Sequence, residues 1–119
     1  MVKIVNRAEF MAMDGIVLHR KYEPCIFGEL GVKVSTIKDV GGEPIDYVTI
    51  GTEQIDDSNF NEVHEFLCGD ALNGVSFRFE YESTSRDGLY DDDQMYAIYD
   101  DDDIDQLIAF LESCKTKGE

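Results

Sequence analysis

Val75-Ser76-Phe77-Arg78-Phe79-Glu80-Tyr81-Glu82 alternates apolar and polar residues without a break. Successive side chains of a strand point to opposite faces, so Val75, Phe77, Phe79 and Tyr81 share one side. The pattern predicts a half-buried strand over 75–81, at the centre of a sheet. A second central strand is predicted at 95–99, Met95-Tyr96-Ala97-Ile98-Tyr99. Upstream, β-rich runs at 16–22, 32–37 and 45–50 predict three more strands. Pro24 stops the first of them, Phe27 to Gly31 reads as a turn, and the Gly and Pro between 39 and 44 read as a loop.

Helices fill the remaining stretches. Asn6 with Glu9 forms a capping-box pattern that opens a short helix over 7–13. Asp57-Ser58 offers an N-cap for a second helix, whose face carries Phe60, Val63, Phe66 and Leu67 and which Gly69 ends. Asp102 or Asp103 caps a third, with Ile104, Leu107, Ile108 and Leu111 toward the sheet and Lys115, Lys117 and Gly118 at its end. The order is α-β-β-β-α-β-β-α. Short connections make the expected fold α+β: a mainly antiparallel sheet of about five strands with two to three helices packed on it. No linker or repeat divides the chain, so residues 1–119 are expected to form one domain.

Composition narrows the function. No apolar run approaches the ~20 residues of a membrane span, and the first residues lack the apolar core of a signal peptide. Cys25, Cys68 and Cys114 are odd in number and form no CxxC pair, which predicts free, mostly buried thiols in a reducing compartment. The net charge is −16 and it is unevenly placed. Residues 1–50 carry six Lys/Arg and seven Asp/Glu, whereas residues 51–119 carry four and nineteen. Such self-repulsion opposes folding and points to solubility or to a basic partner. Direct contact with nucleic acid is disfavoured, since phosphates would meet like charge.

Candidate chemistry is sparse. Asp91, Asp92 and Asp93 precede the last predicted strand, and Asp100, Asp101, Asp102 and Asp103 follow it. Oxygen ligands of this kind suit Mg²⁺ or Ca²⁺, but the EF-hand spacing is absent. His64 and Cys68 are four apart and within reach on a helix. Nothing marks the orienting group or oxyanion pocket that a Cys–His nucleophile needs, and His19 lies among apolar strand residues. No nucleophile elbow, phosphate loop or HExxH motif occurs, so no enzyme, catalytic residue, cofactor or metal is expected. Arg86, one of two cations in a long acidic stretch, pairs with a carboxylate or anchors an anionic ligand.

Two segments carry a resemblance. Arg7 to Met11, continued by Lys21-Tyr22-Glu23-Pro24-Cys25-Ile26-Phe27-Gly28-Glu29-Leu30, is one; Arg86-Asp87-Gly88-Leu89-Tyr90-Asp91-Asp92-Asp93-Gln94-Met95 with the following strand and helix is the other. Together they resemble a family of small acidic proteins of bacteriophages and prophages. The resemblance implies a viral accessory protein of the bacterial host cytoplasm and carries over no activity. By analogy with acidic phage proteins that imitate DNA, the expected partner is the basic surface of a host nucleic-acid-binding protein, such as a CRISPR effector or restriction enzyme. The expected interface is Asp91, Asp92, Asp93, Asp100, Asp101, Asp102 and Asp103, with Tyr90, Tyr96 or Tyr99 as aromatic anchors. Self-association is compatible with this reading. A binding module for a small anionic ligand or a divalent cation, around Arg86 and Asp91, Asp92 and Asp93, is the alternative.

Overall fold

The structure, a computed structural model, describes residues 1–58 and 60–115. The described residues form an α+β fold with a six-stranded antiparallel sheet, a two-stranded ribbon and three α-helices. In chain order these are β1 (Lys3–Asn6), α1 (Arg7–Ala12), β2 (Val17–Glu23), β3 (Ile26–Lys38), β4 (Pro44–Gly51), β5 (Gln54–Ile55) and α2 (Val63–Cys68). A 3₁₀ turn (Asp70–Asn73), β6 (Phe79–Glu80), β7 (Ser85–Arg86), β8 (Met95–Ile98) and α3 (Asp101–Ser113) follow. The large sheet runs β1-β8-β2-β3-β4-β7, and β5 pairs with β6 in the ribbon.

Several local expectations hold. The Asn6 side chain accepts from the Glu9 N–H at 2.8 Å and opens α1, and Gly69 closes α2. Others shift. Lys3-Ile4-Val5-Asn6 forms β1, which too short an apolar pattern had hidden. The β2–β3 turn is Pro24-Cys25: proline presets the first φ, and Cys25 takes the second position at φ 68°. The Phe27 to Gly31 segment therefore lies inside β3 rather than in a turn. Glu62, whose carboxylate accepts from His64 and Glu65 N–H, caps α2 in place of Asp57-Ser58. Asp100 caps α3 in a reciprocal capping box with Asp103, two residues before the expected start.

The strand expected over 75–81 is not central. Only Phe79–Glu80 is strand, and it pairs with Gln54–Ile55 outside the main sheet. Among the described residues only Phe66 of α2 packs against the alternating apolar side, so Phe77, Phe79 and Tyr81 stay 42%, 45% and 62% exposed. Phe60, Phe66, Phe77 and Phe79 instead touch ring to ring in a small cluster of their own, with only Phe66 buried. The expected packing of α3 is likewise overturned: Ile104 and Leu107 are half-buried, while Ile108, Phe110 and Leu111 are exposed. Lys117 and Gly118 lie outside the described residues. All three cysteines are exposed, contrary to the buried thiols expected. The molecule measures 49 × 35 × 26 Å. Its radius of gyration of 17.1 Å exceeds the about 13.5 Å of a compact chain this long.

The core lies under α1. Phe10 is fully buried, stacked on Tyr96 at 3.9 Å and edge-on to Tyr47 at 4.9 Å, with Val5, Val17 and Ile98 around it. Burying one such ring is worth about 1.5–3 kcal/mol. β8 is flanked by β1 and β2, so Tyr96, Ala97 and Ile98 are all buried, and the expectation of an interior strand there holds. Lys33 is 1% exposed and donates to the Phe10 and Met13 carbonyls at 3.2 and 2.7 Å. It thereby satisfies the Met13 carbonyl past the end of α1 and joins the Met13 N–H at the Phe10 carbonyl.

Candidate functional site

The two aspartate clusters sit at opposite ends of β8. Between them Tyr96, Ala97 and Ile98 are buried, so they form two separate patches. Asp91 shapes the turn into β8: its carbonyl accepts from Gln94 N–H and its carboxylate from Asp93 N–H. Asp92 and Asp93 are exposed beside it. At the other end, Asp100 and Asp103 cap α3, and the terminal amine of Met1 contacts both. That amine, with the Asp103 N–H, brings the Asp100 carboxyl down to about 2. Asp102 accepts from Gln106 at 2.9 Å, and Asp101 is exposed.

The three candidate tyrosines divide. Tyr96 has no exposed surface and cannot anchor a partner; β8 turns its ring into the core, where its hydroxyl meets that of Tyr47 at 3.0 Å. Tyr99 is half-buried and accepts from Arg20 Nε at 3.0 Å. Tyr90 is exposed, at φ 52°, and accepts from Arg86 Nη2 at 2.8 Å. His64 and Cys68 approach to 3.6 Å on α2, as their spacing requires, and both are exposed. No group of three or more His, Cys, Asp or Glu among the described residues is placed to hold a metal ion.

The densest chemistry lies elsewhere, where α1, β2, β4 and β7 converge. Asp46 is fully buried and accepts from the Tyr47 N–H at 2.8 Å, the Gly88 N–H at 3.1 Å and Arg86 Nε at 3.0 Å. Gly88 reaches it from φ 70°, a backbone state costly to a side-chain-bearing residue. Arg7 is 3% exposed and lies 3.8 Å from Asp46 and 3.2 Å from Asp87. Lys21 donates to Asp87 at 2.6 Å. Burial pushes both carboxyls up, but the amides and Arg86 around Asp46 outweigh it. Lys21 and Arg7 do the same at Asp87, so both groups end below the usual carboxylate range. Arg86 is thus a carboxylate's partner, and Asp91, Asp92 and Asp93 take no part in its pairing.

A hollow of about 290 Å³ opens beside this network, on the face that α1 covers only partly, and His19, Lys21, Tyr47, Thr49 and Arg86 line it. A second hollow, of about 490 Å³, is walled by Phe60, Phe66 and Phe77 with Asp56, Asp70 and Arg78. Sequence reasoning missed Arg7, Lys21, Lys33 and Asp46. The available signal was a charge at an inward position of an apolar strand, as in Val32-Lys33-Val34 and Ile45-Asp46-Tyr47. Comparison with known proteins adds nothing to this geometry: no family model, curated protein or solved structure matches the chain.

Proposed function

We propose that the chain is a non-enzymatic accessory protein that binds the basic surface of a bacterial nucleic-acid-binding protein and keeps nucleic acid out of it. A CRISPR effector or restriction enzyme of the host cytoplasm has the required surface, and the resemblance to phage proteins favours that setting. The observation that carries the reading is the segment 52–93, which holds twelve Asp/Glu against two Arg and leaves aromatic rings uncovered. Phe77, Phe79 and Tyr81 are exposed beside Glu80, Glu82, Asp56 and Asp57 on the β5–β6 ribbon. Rings supply contact area, and carboxylates supply steering and register. In this reading the ribbon is the interface, and Asp91, Asp92 and Asp93 add charge from the same acidic segment. Among the described residues no helix is long and apolar enough to cross a membrane.

The test begins with capture of the partner from a bacterial lysate and continues with the purified pair. Duplex DNA should compete for the partner, and affinity should fall steeply with salt. Changing Asp56, Asp57, Glu80 and Glu82 to their amides, or Phe77 and Phe79 to serine, should weaken binding at least tenfold, on the order of 1.4 kcal/mol. Neutralising Asp91, Asp92, Asp100 and Asp101 is the matched comparison, and a larger loss there would move the interface to the ends of β8. A partner that still binds DNA when saturated with this protein would refute the inhibitory reading.

A further inference from the structure

We propose that the hollow beside α1 binds a small hydroxycarboxylate, its carboxylate held by Lys21 and Arg86 and its hydroxyl donating to Nε2 of His19. This is independent of the partner surface on the ribbon.

The hollow owes its space to one missing side chain, that of Gly31, because at Gly51 the place of a side chain is taken by Glu29 Oε1. His19 stands opposite Gly31, and Gly31 opposite Gly51, in one row across β2, β3 and β4. A Cβ on Gly31 would lie 3.5 Å from Thr49 Oγ1 and 3.7 Å from His19 Cε1, which is ordinary contact, and its φ is not left-handed. The backbone therefore does not require glycine at 31, yet the space beside the imidazole is kept open.

His19 is 4% exposed, and its Nδ1 lies 3.1 Å from the Val17 carbonyl. That contact places the proton on Nδ1 and leaves Nε2 an acceptor, with no partner among the described residues. Among those residues no buried side-chain nitrogen or oxygen lacks a partner, so Nε2 is reached from solvent, and the hollow that His19 lines is the route. Burial lowers the basicity of His19, and the nearby Lys21 and Lys33 add to this, so the acceptor persists at neutral pH.

Free donors select the rest of the ligand. Arg7, Lys21 and Arg86 face Asp46 and Asp87, and Glu29 balances the remaining positive charge. Glu29 lies at the rim, where its Oε1 is taken up by the Thr52 and Glu53 N–H groups. Lys21 spends one of its three donors on Asp87, and Arg86 uses Nε and Nη2, so N–H groups remain for a carboxylate. An amino acid would set its ammonium beside these cations, whereas a hydroxyl supplies the donor without charge. The volume of about 290 Å³ sits at the small end of ligand pockets, ~300–1,000 Å³.

The full chain is titrated with glycolate, lactate, acetate and inorganic phosphate at constant ionic strength, following thermal melting and the imidazole ¹⁵N resonances. The chain has two histidines, so exposed His64 is the internal control. Glycolate or lactate should saturate, shift His19 Nε2 without shifting His64, and raise the melting temperature. Acetate should bind at least about tenfold more weakly. Gly31→Val should remain folded and lose the response; if it unfolds, Gly31→Ala takes its place. His19→Phe keeps a ring without the acceptor, and it should bind glycolate no better than acetate. Absence of a saturable His19 shift with either hydroxy acid overturns the proposal. So does acetate or phosphate binding as tightly as lactate, or unchanged binding in the Gly31 variant.

Discussion

Replacing Asp46 by asparagine changes one atom of a fully buried carboxylate that four donors surround: two amides, Arg86 and, at 3.8 Å, Arg7. The amide oxygen can still serve the Tyr47 and Gly88 N–H groups. Its NH₂ then faces Arg86 Nε, donor against donor. Removing one partner of a buried pair costs about 3–5 kcal/mol when the other is stranded. Here the loss is smaller, because Arg86 is half-exposed and Arg7 keeps Asp87. Roughly 2–3 kcal/mol is expected, the value of one charge-assisted bond plus part of the stranded charge. For a chain of this length that is a fall of roughly 10 °C in melting temperature. The assay is urea unfolding of Asp46→Asn, Arg86→Gln and the double variant. In the Asp46→Asn background the Arg86 change should be nearly neutral, because it removes the donor–donor contact. A loss below about 0.5 kcal/mol, or strict additivity in the cycle, would refute the reasoning.

Three further outcomes are expected. Phe10→Ala should cost about 3–5 kcal/mol in denaturant melts, because the ring is fully buried between Tyr96, Tyr47 and His19. Leu111→Ser should change stability by less than about 0.5 kcal/mol, because that part of α3 has nothing over it. Stability should depend on pH in two phases. The folded His19 pKa lies below the ordinary 6.5, so from that pH down the unfolded chain takes up a proton that the folded one does not, and stability falls. Asp46 and Asp87, held below the usual 3.8, withdraw their contribution only as pH drops below about 4. Subtracting the profile of His19→Phe isolates the upper phase from the relief of acidic repulsion, which acts in the opposite direction.

Periodicity was legible where the strands joined the main sheet and packed on its core. The apolar runs around Val17, Val32, Tyr47 and Ala97 became strands of the main sheet, and Asn6 with Glu9 opened a helix. It misled at 75–81, because alternation states which side chains share a face and not whether a second layer covers that face. α3 repeats this: Ile104, Leu107, Ile108 and Leu111 fall on one stripe, but the stripe needs a neighbour to become core. The aspartates were legible as charge and capping material, whereas the fate of Tyr96 depended on which strands would flank β8. Arg7, Asp46 and Asp87 were illegible as a unit because they come from three distant segments joined only by the sheet.

The position of β8 also has a consequence for biosynthesis. The ribosome delivers β1 and β2 early, yet in the finished sheet they never touch, because the strand ending at Ile98 lies between them. Lys3 must wait for Ile98, and His19 for the same residue. The nascent chain can close the β2–β3–β4 meander but cannot complete its core until Met95–Ile98 has emerged. Until then two unpaired strand edges and the Phe10 ring stay open. Such late, long-range closure slows folding and exposes the chain to aggregation and proteases. A stalled or truncated product lacking β8 is thus expected to be cleared by the cell rather than to accumulate as a smaller folded form.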